Sequence, residues 1–233
     1  MLARDLDSYS RWPLARIGRV AALAAGAGLL AHLAWTGTTV AIVPAGASLF
    51  VAALDAIEPL AQELDHPDVG GIPIADGELL MRHLGGSTVA MVLASLVGVA
   101  AAWVADPHGA VLVGGLALVV PVSIGAVAGA AASVASEPLI SPDDEELVPP
   151  ELGGPRLLLK VVWPPAIVVL SLLPIRAASR AAAAGEAPFE ALLGSMLLPG
   201  IVIVLVLGWL RFRRDIMASV QAAGTGGSTG ANR

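Results

Sequence analysis

Cysteine is absent from this chain, so disulfide bonds and thiolate metal sites are excluded. Charge is scarce as well, because Asp, Glu, Lys and Arg together make up 14% of the residues, against roughly 25% in an average soluble domain. The P-loop pattern GxxxxGK[ST] occurs nowhere, so the chain does not itself bind ATP through such a loop. These absences point away from a soluble protein that carries its own nucleotide or thiolate-metal chemistry.

Long apolar runs of Ala, Val, Leu and Gly take the place of the missing charge, and hydrophobic residues reach 56%. The run from Val20 to Leu54 would be ~50 Å long as a single helix, whereas the hydrocarbon core of a bilayer is ~30 Å thick. A turn at Thr36–Thr39 therefore divides it into two spans. The fold class is all-α, a polytopic membrane protein with six transmembrane helices. The predicted spans are about 20–35, 40–56, 84–105, 110–135, 157–175 and 191–210, within one domain from 1 to 214. Residues 215–233 are Gly/Ser-rich and are predicted to be disordered.

The basic residues predict the orientation of these spans. With six spans and a cytoplasmic N-terminus, the outer loops hold only Arg176 and Arg180, and all other Arg residues lie inside. This asymmetry is the one that the positive-inside rule requires. We expect a multi-pass protein of the cell membrane with both termini in the cytoplasm. No span carries a charge at its middle, which disfavours proton-coupled transport.

The longest polar interruption near the start of the chain, from Phe50 to Leu84, predicts a cytoplasmic helical hairpin between spans two and three. Its apolar residues recur at helical spacing among acidic ones, so the second span is predicted to continue as a helix into the cytosol. We name this face the docking stripe, because a rigid element joined to two spans is suited to contact a soluble partner. Its residues are Leu54, Ile57, Glu58, Ala61, Glu63 and Leu64. The alternative is that the stripe packs on the inner loops of the chain itself.

The N-terminal segment from Met1 to Arg19 alternates apolar and charged residues, with Leu2, Leu6 and Tyr9 at helical spacing. This pattern is typical of a short amphipathic helix that lies in the membrane interface. A disordered basic tail is the alternative.

Few residues of the sequence form a pattern that indicates catalysis or metal binding. Gly46–Leu49 resembles the serine motif of intramembrane rhomboid-type proteases. That motif requires a small residue where Leu49 stands and a His within a later span, whereas His83 and His108 lie at the edges of spans. Asp65–Asp68 contains one His and two carboxylates, which more often form a solvated turn than a metal site. The acids from Asp143 to Glu146 fit the start of a helix. We therefore expect no enzyme activity, catalytic residue, cofactor or metal site.

Three segments carry a resemblance to a known family: Leu2–Arg19 as lead-in helix, and Leu54–Leu60 with Gly71–Ile74 as hairpin. With four further spans, this arrangement resembles the permease subunit of type-2 ABC transporters, exporter class. The resemblance implies a P-loop ATPase subunit docked on the hairpin, a second permease half, the lipid bilayer as surroundings and no nucleic-acid partner. The family often places short re-entrant helices before its last span, whereas residues 176–190 are predicted here to be a polar linker.

The alternative function is a non-transporting membrane scaffold or assembly protein, whose hairpin binds a partner without moving anything. The substrate does not follow from apolar, chargeless spans, which suit a hydrophobic compound and plain structural packing equally.

The predicted orientation is testable with reporter fusions along the chain. Fusions at Asp68, Glu145 and Arg214 are expected to report the cytoplasm, whereas fusions at Gly37, His108 and Ala183 are expected to report the outside. A signal from outside at Asp68 would contradict the cytoplasmic hairpin.

Overall fold

The protein is all-helical in the parts of the chain that the structure, a computed structural model, describes, which are residues 7–64, 76–135 and 150–226. Residues 7–10 form a short helical segment. The helices that follow are α1 (Leu14–Trp35), α2 (Ile42–Leu64), α3 (Asp76–Ala105), α4 (Gly109–Ala135), α5 (Pro150–Leu172), α6 (Pro174–Ala183), α7 (Pro188–Ser195) and α8 (Leu197–Gly226).

Within these described ranges, six helical segments are long and apolar enough to cross a membrane, which confirms the predicted fold class and makes this a multi-pass membrane protein. They are Leu14–Trp35, Thr39–Glu58, Leu80–Ala105, Gly109–Ala135, Val161–Ala183 and Pro188–Phe212. The residues outside the described ranges include 65–75, where the sequence predicts the hairpin turn, and 136–149, which contain the acidic segment Asp143–Glu146. Leu2 and Leu6 also lie outside them.

The turn between the first two spans lies where the sequence predicts it. Helix α1 ends at Trp35, and Gly37 then has φ +122°, a conformation that glycine adopts without a steric penalty. A single 3₁₀ turn, Thr39–Ala41, leads into α2. A short connection of this kind makes α1 and α2 antiparallel neighbours.

The start of α1 and Asp55 of α2 therefore lie at one end of the bundle, which we call the Asp55 end. The opposite end, which we call the Asp106 end, contains Trp35 and the α3–α4 turn at residues 106–108.

Close backbone contacts hold the bundle together. A Cβ atom added to Gly28 of α1 would overlap the carbonyl oxygen of Gly98 in α3, and one added to Gly98 would lie 2.7 Å from the oxygen of Ala24. In α4, a Cβ on Gly125 would lie 2.9 Å from the Cβ of Ser171, and one on Gly129 would lie 2.6 Å from the oxygen of Pro164. The G-x-x-x-G pattern of α4 thus serves packing against α5 within the chain.

The segment before the last span differs from the sequence prediction. Residues 176–190 are not a polar linker, because α6 and α7 occupy most of this stretch and pack against each other. Pro174 and Pro188 each stand at the first position of a helix, where the missing N–H costs nothing. The Ala-rich sequence between them favours helix, and it buries Ile175, Ala178 and Ala181 on one face.

The C-terminal tail also differs from its prediction. Helix α8 continues to Gly226, so residues 215–226 are helical where the sequence predicts disorder, and residues 227–233 lie outside the described part. Pro199 stands in the first turn of α8, directly after the break at Met196. It therefore marks the start of a helix and not a kink within one.

The Gly28–Gly98 contact generates a prediction about stability. Gly28→Ala forces α1 and α3 apart and is expected to lower the free energy of unfolding by about 1–3 kcal/mol, the usual cost of overpacking. Gly26→Ala is the matched control, because its Cβ would meet nothing within 4 Å. Thermal unfolding in detergent measures both. Equal unfolding temperatures for the two variants would show that the helices are not packed this closely.

Candidate functional site

A hydrogen-bonded joint at the Asp55 end connects the N-terminal segment with α2 and α3. The Tyr9 hydroxyl donates to the Ala56 carbonyl oxygen at 2.7 Å and lies 3.1 Å from Ser87 Oγ. Ser87 is 2% exposed and donates to the same carbonyl at 3.1 Å. Because polar groups in an apolar surrounding need partners, these bonds fix the three elements to one another.

Arg16 of α1 lies at the centre of the same end. Its Nη2 donates to the Asp55 carbonyl oxygen at 2.6 Å and forms an ion pair with Glu58. Its guanidinium stacks over the Trp12 ring, 4.3 Å from the centroid, and Trp12 meets Tyr9 edge-on at 4.9 Å between the ring centroids. The Arg16 side chain is 16% exposed. A carbonyl, a carboxylate and an aromatic face thus hold one largely buried cation.

Arg19 forms the second ion pair of this group. Its Nε donates to Asp55 Oδ2 at 2.9 Å, and its Nη2 donates to Asp55 Oδ1 at 2.5 Å. Such a two-bond pairing of guanidinium and carboxylate is among the stronger polar contacts in proteins. We call the group Arg16, Arg19, Asp55 and Glu58 the ionic cluster. Its two cations come from the start of α1, and its two anions come from the corresponding level of α2.

The structure places part of the docking stripe in this region. Ile57 is 1% exposed and belongs to the hydrophobic core, and Leu54 is half-buried against that core. Glu58 pairs with Arg16 and keeps 45% of its side chain exposed. Helix α2 reaches Leu64, but the side chains of Ala61, Glu63 and Leu64 lie outside the described ones. Two described members of the stripe therefore pack within the chain, and Glu58 both pairs internally and faces outward.

The ionic cluster was not predicted from the sequence, although the sequence contains a signal for it. Arg16 and Arg19 are three residues apart, as are Asp55 and Glu58, and positions at this spacing share a helix face. Since a tight turn makes α1 and α2 antiparallel, opposite charges equally far from that turn are expected to meet.

The sequence also offered Ser48 as a candidate for catalysis and Asp65–Asp68 as a candidate metal site. Ser48 Oγ donates to the Pro44 carbonyl oxygen at 2.9 Å within its own helix. Over residues 7–64, 76–135 and 150–226, no group of three or more His, Asp or Glu side chains has the arrangement of a metal site. Asp65–Asp68 lies outside these ranges.

No family model, curated protein or solved structure matches this chain. The cluster combines no nucleophile with a base. It joins α1 to α2, and the hydrogen bonds of Tyr9 and Ser87 to Ala56 join the N-terminal segment and α3 to α2. These contacts together connect the four elements at the Asp55 end.

The contribution of Arg16 to the stability of the protein can be tested by comparison with Arg11. Arg16→Ala removes an ion pair, a charge-assisted hydrogen bond and a cation–π contact, and is expected to lower the free energy of unfolding by about 2–4 kcal/mol. Arg11→Ala is the control, because Arg11 is 76% exposed and pairs only with Asp7 one turn away, a contact worth about 0.5 kcal/mol. Thermal unfolding in detergent compares them, and similar losses in both variants would argue against a structural role for the cluster.

Proposed function

We propose that this chain is the membrane-spanning permease subunit of an ATP-driven ABC exporter, energised by a separate P-loop ATPase subunit and paired with a second permease half. In this proposal the protein lies in the cell membrane with both termini in the cytoplasm, so the Asp55 end faces the cytosol. The sequence resemblance and the excess of Arg at this end support the proposal.

The observation that carries the proposal is the way in which α2 leaves the membrane. Its apolar span ends at Glu58, but the helix continues without a break to Leu64. At the base of this extension, Asp55, Ala56 and Glu58 are bonded to Arg16, Arg19 and Tyr9. A push on the extension is therefore passed to α1, α3 and the N-terminal segment together. A permease moved by a soluble ATPase requires this kind of rigid connection.

Helices α6 and α7 give a second line of support. The family that the sequence resembles often places short re-entrant helices before its last span, and the two short helices α6 and α7, which pack on each other, lie between the long helices α5 and α8. They connect α5 and α8 at the Asp106 end, opposite the proposed ATPase. Re-entrant backbone is tolerated at membrane depth where it is buried in protein, and Ile175, Ala178 and Leu192 are buried here.

The alternative function, a non-transporting scaffold or assembly protein, is favoured by one observation. Ile57 and Glu58, two residues of the docking stripe, are engaged by the chain's own core and by Arg16. In that case the ionic cluster would stabilise the fold only, and the extension of α2 would carry no moving partner.

A charge-swap experiment distinguishes docking from internal pairing. Glu58→Lys puts like charge beside Arg16, so this variant is expected to lose stability and to lose co-purification of the ATPase. The double variant Glu58→Lys with Arg16→Glu restores opposite charges inside the chain but keeps the reversed charge on the stripe. It restores the ion pair but not the hydrogen bond to the Asp55 carbonyl oxygen or the cation–π contact with Trp12. It is therefore expected to regain part of the lost thermal stability and still to lack the ATPase.

The measurement uses the tagged full chain, purified in mild detergent and assayed for ATP hydrolysis, co-purifying P-loop ATPase and unfolding temperature. The wild-type preparation is expected to contain the ATPase and to hydrolyse ATP only when it is present. A double variant that regains the ATPase would remove Glu58 from the docking surface. A wild-type chain that purifies as a stable monomer, without an ATPase, would contradict the proposed function and favour the scaffold.

A further inference from the structure

Helices α6 and α7, which we call the α6–α7 unit (Pro174–Ser195), contain two arginines without a partner. Arg176 and Arg180 stand four residues apart on α6, so their side chains share one face of the helix. Within the described part of the chain, neither side chain forms an ion pair or a hydrogen bond. Like charges at this spacing repel each other and destabilise a helix. An anion bound between them would remove that repulsion.

Arginines elsewhere in the protein have partners where their side chains are described. Four of them each form an ion pair with an acid, namely Arg11, Arg16, Arg19 and Arg82. The guanidinium of Arg211 lies 5.5 Å from the centroid of the Phe212 ring. The arginines that lack a partner are therefore the exception among the described side chains, and both of them lie on one face of α6.

Arg176 is partly buried, but the end of its side chain remains accessible. Its Nε is buried, whereas its two terminal nitrogens keep accessible surface, and none of the three has a hydrogen-bond partner among the described residues. Arg180, one turn further along α6, is exposed. A ligand can therefore reach the terminal nitrogens of both arginines from outside, and it does not need to reach the buried Nε.

The described acids at the Asp106 end do not compensate these two charges. Glu186 and Glu190 belong to the α6–α7 unit, but they are exposed and form no ion pair with either arginine. Glu190 stands in the first turn of α7, where the helix dipole favours an acid. Asp106, in the turn between α3 and α4, contacts His108. The compensating anion therefore has to come from outside the described chain.

The position of the α6–α7 unit indicates where that anion lies. The fifth apolar segment ends at Ala183 and the sixth begins at Pro188, so residues 184–187 connect the two, and all four are exposed. Arg180 stands one turn before this connection. The ends of apolar segments lie at the level of the lipid head groups. Long basic side chains near such an end extend to that level.

Apolar side chains of the same unit distinguish a lipid from a soluble anion. Phe189 and Leu193 of α7 are 50% and 55% exposed and stand four residues apart, so they share one face. Ile175 and Leu192 are buried beside a cavity of about 100 Å³ between α1, α3 and α4, and they anchor the unit to the bundle. A soluble phosphate would leave the exposed apolar face of α7 without a contact. A phospholipid supplies a phosphate for the arginines and hydrocarbon for that face.

We propose that the α6–α7 unit binds an anionic phospholipid of the phosphatidylglycerol class. Its phosphate accepts hydrogen bonds from Arg176 and Arg180, a pairing that the planar guanidinium favours. Its acyl chain lies along Phe189 and Leu193. A zwitterionic phospholipid binds less well, because the cation of its own head group offsets the charge of the phosphate. The inference does not depend on transport and stands whether or not an ATPase partner exists.

The test places the purified full chain in phosphatidylcholine nanodiscs that contain a small fraction of a photoreactive lipid. One probe is phosphatidylglycerol with a diazirine in its acyl chain, and the other is phosphatidylcholine with the same chain. At equal fractions, the phosphatidylglycerol probe is expected to label peptides of α6 and α7 about tenfold more strongly, because each arginine near a membrane surface attracts an anionic lipid. Equal labelling by the two probes would overturn the proposal.

Matched pairs of substitutions locate the binding. Arg176→Gln with Arg180→Gln removes both charges and keeps polar side chains, so the preference for phosphatidylglycerol is expected to disappear. Arg11→Gln with Arg82→Gln lowers the charge of the chain equally, but both residues pair with an acid one turn away, so the preference at α6 and α7 is expected to be unchanged. Full preference in the folded Arg176 and Arg180 variant would remove both arginines from the site. An equal loss in the control pair would show a general effect of net charge and would also contradict the proposal.

Unfolding temperatures identify a variant that fails to fold. If the double variant at positions 176 and 180 does not fold, Arg180→Gln alone decides the question, because Arg180 is exposed. Its preference is expected to fall about threefold, and an unchanged preference would overturn the proposal.

Inorganic phosphate distinguishes a lipid site from a site for a soluble anion. Added at an ionic strength that is held constant with chloride, it is expected to leave the labelling of α6 and α7 unchanged. Competition by phosphate would contradict the assignment to a lipid.

Discussion

The contact between Gly28 and Gly98 sets the distance between α1 and α3, and two features of the protein depend on that distance. Towards the Asp55 end, it brings Tyr9 and Ser87 close enough to share the Ala56 carbonyl oxygen. Towards the Asp106 end, the same spacing leaves a cavity that the small side chains of α1 do not fill. In a bilayer, lipid competes with side chains for every apolar surface, so close backbone packing replaces the hydrophobic effect as the source of such order.

The ionic cluster shows how four charges are accommodated at the end of a helical bundle. Asp55 and Arg16 have side chains that are 15% and 16% exposed, so each is largely removed from water and needs compensation. Arg16 receives it from a carbonyl oxygen, a carboxylate and the Trp12 ring, and Asp55 receives it from two nitrogens of Arg19. Because desolvation cancels much of the attraction in a buried pair, the intact cluster contributes less to stability than the loss of one of its partners would remove.

The parts that the sequence predicted well are those that a long apolar run determines by itself. The number of spans follows from hydropathy and helix length, and the division at Thr36–Thr39 follows from the thickness of a bilayer. Helices α6 and α7 were missed because Arg176, Arg180 and Glu186 make the stretch polar on average, while its helical face of Ile175, Ala178 and Ala181 is short. The cavity could not be predicted, since it depends on which side chains of separate helices face one another. To predict that Glu58 pairs with Arg16, one must also know how the antiparallel helices α1 and α2 align.

The length of α8 beyond its apolar part has an electrostatic consequence. Its apolar part ends at Phe212, and the helix continues to Gly226, which adds about 20 Å at 1.5 Å per residue. Mobile ions screen charges over a Debye length of about 8 Å at physiological ionic strength. A charge at the end of this helical extension is therefore screened from the apolar part of α8, which ends at Phe212. A molecule bound at the end of this extension would act on the apolar part of α8 mechanically, through the continuous helix, and not through its own electric field.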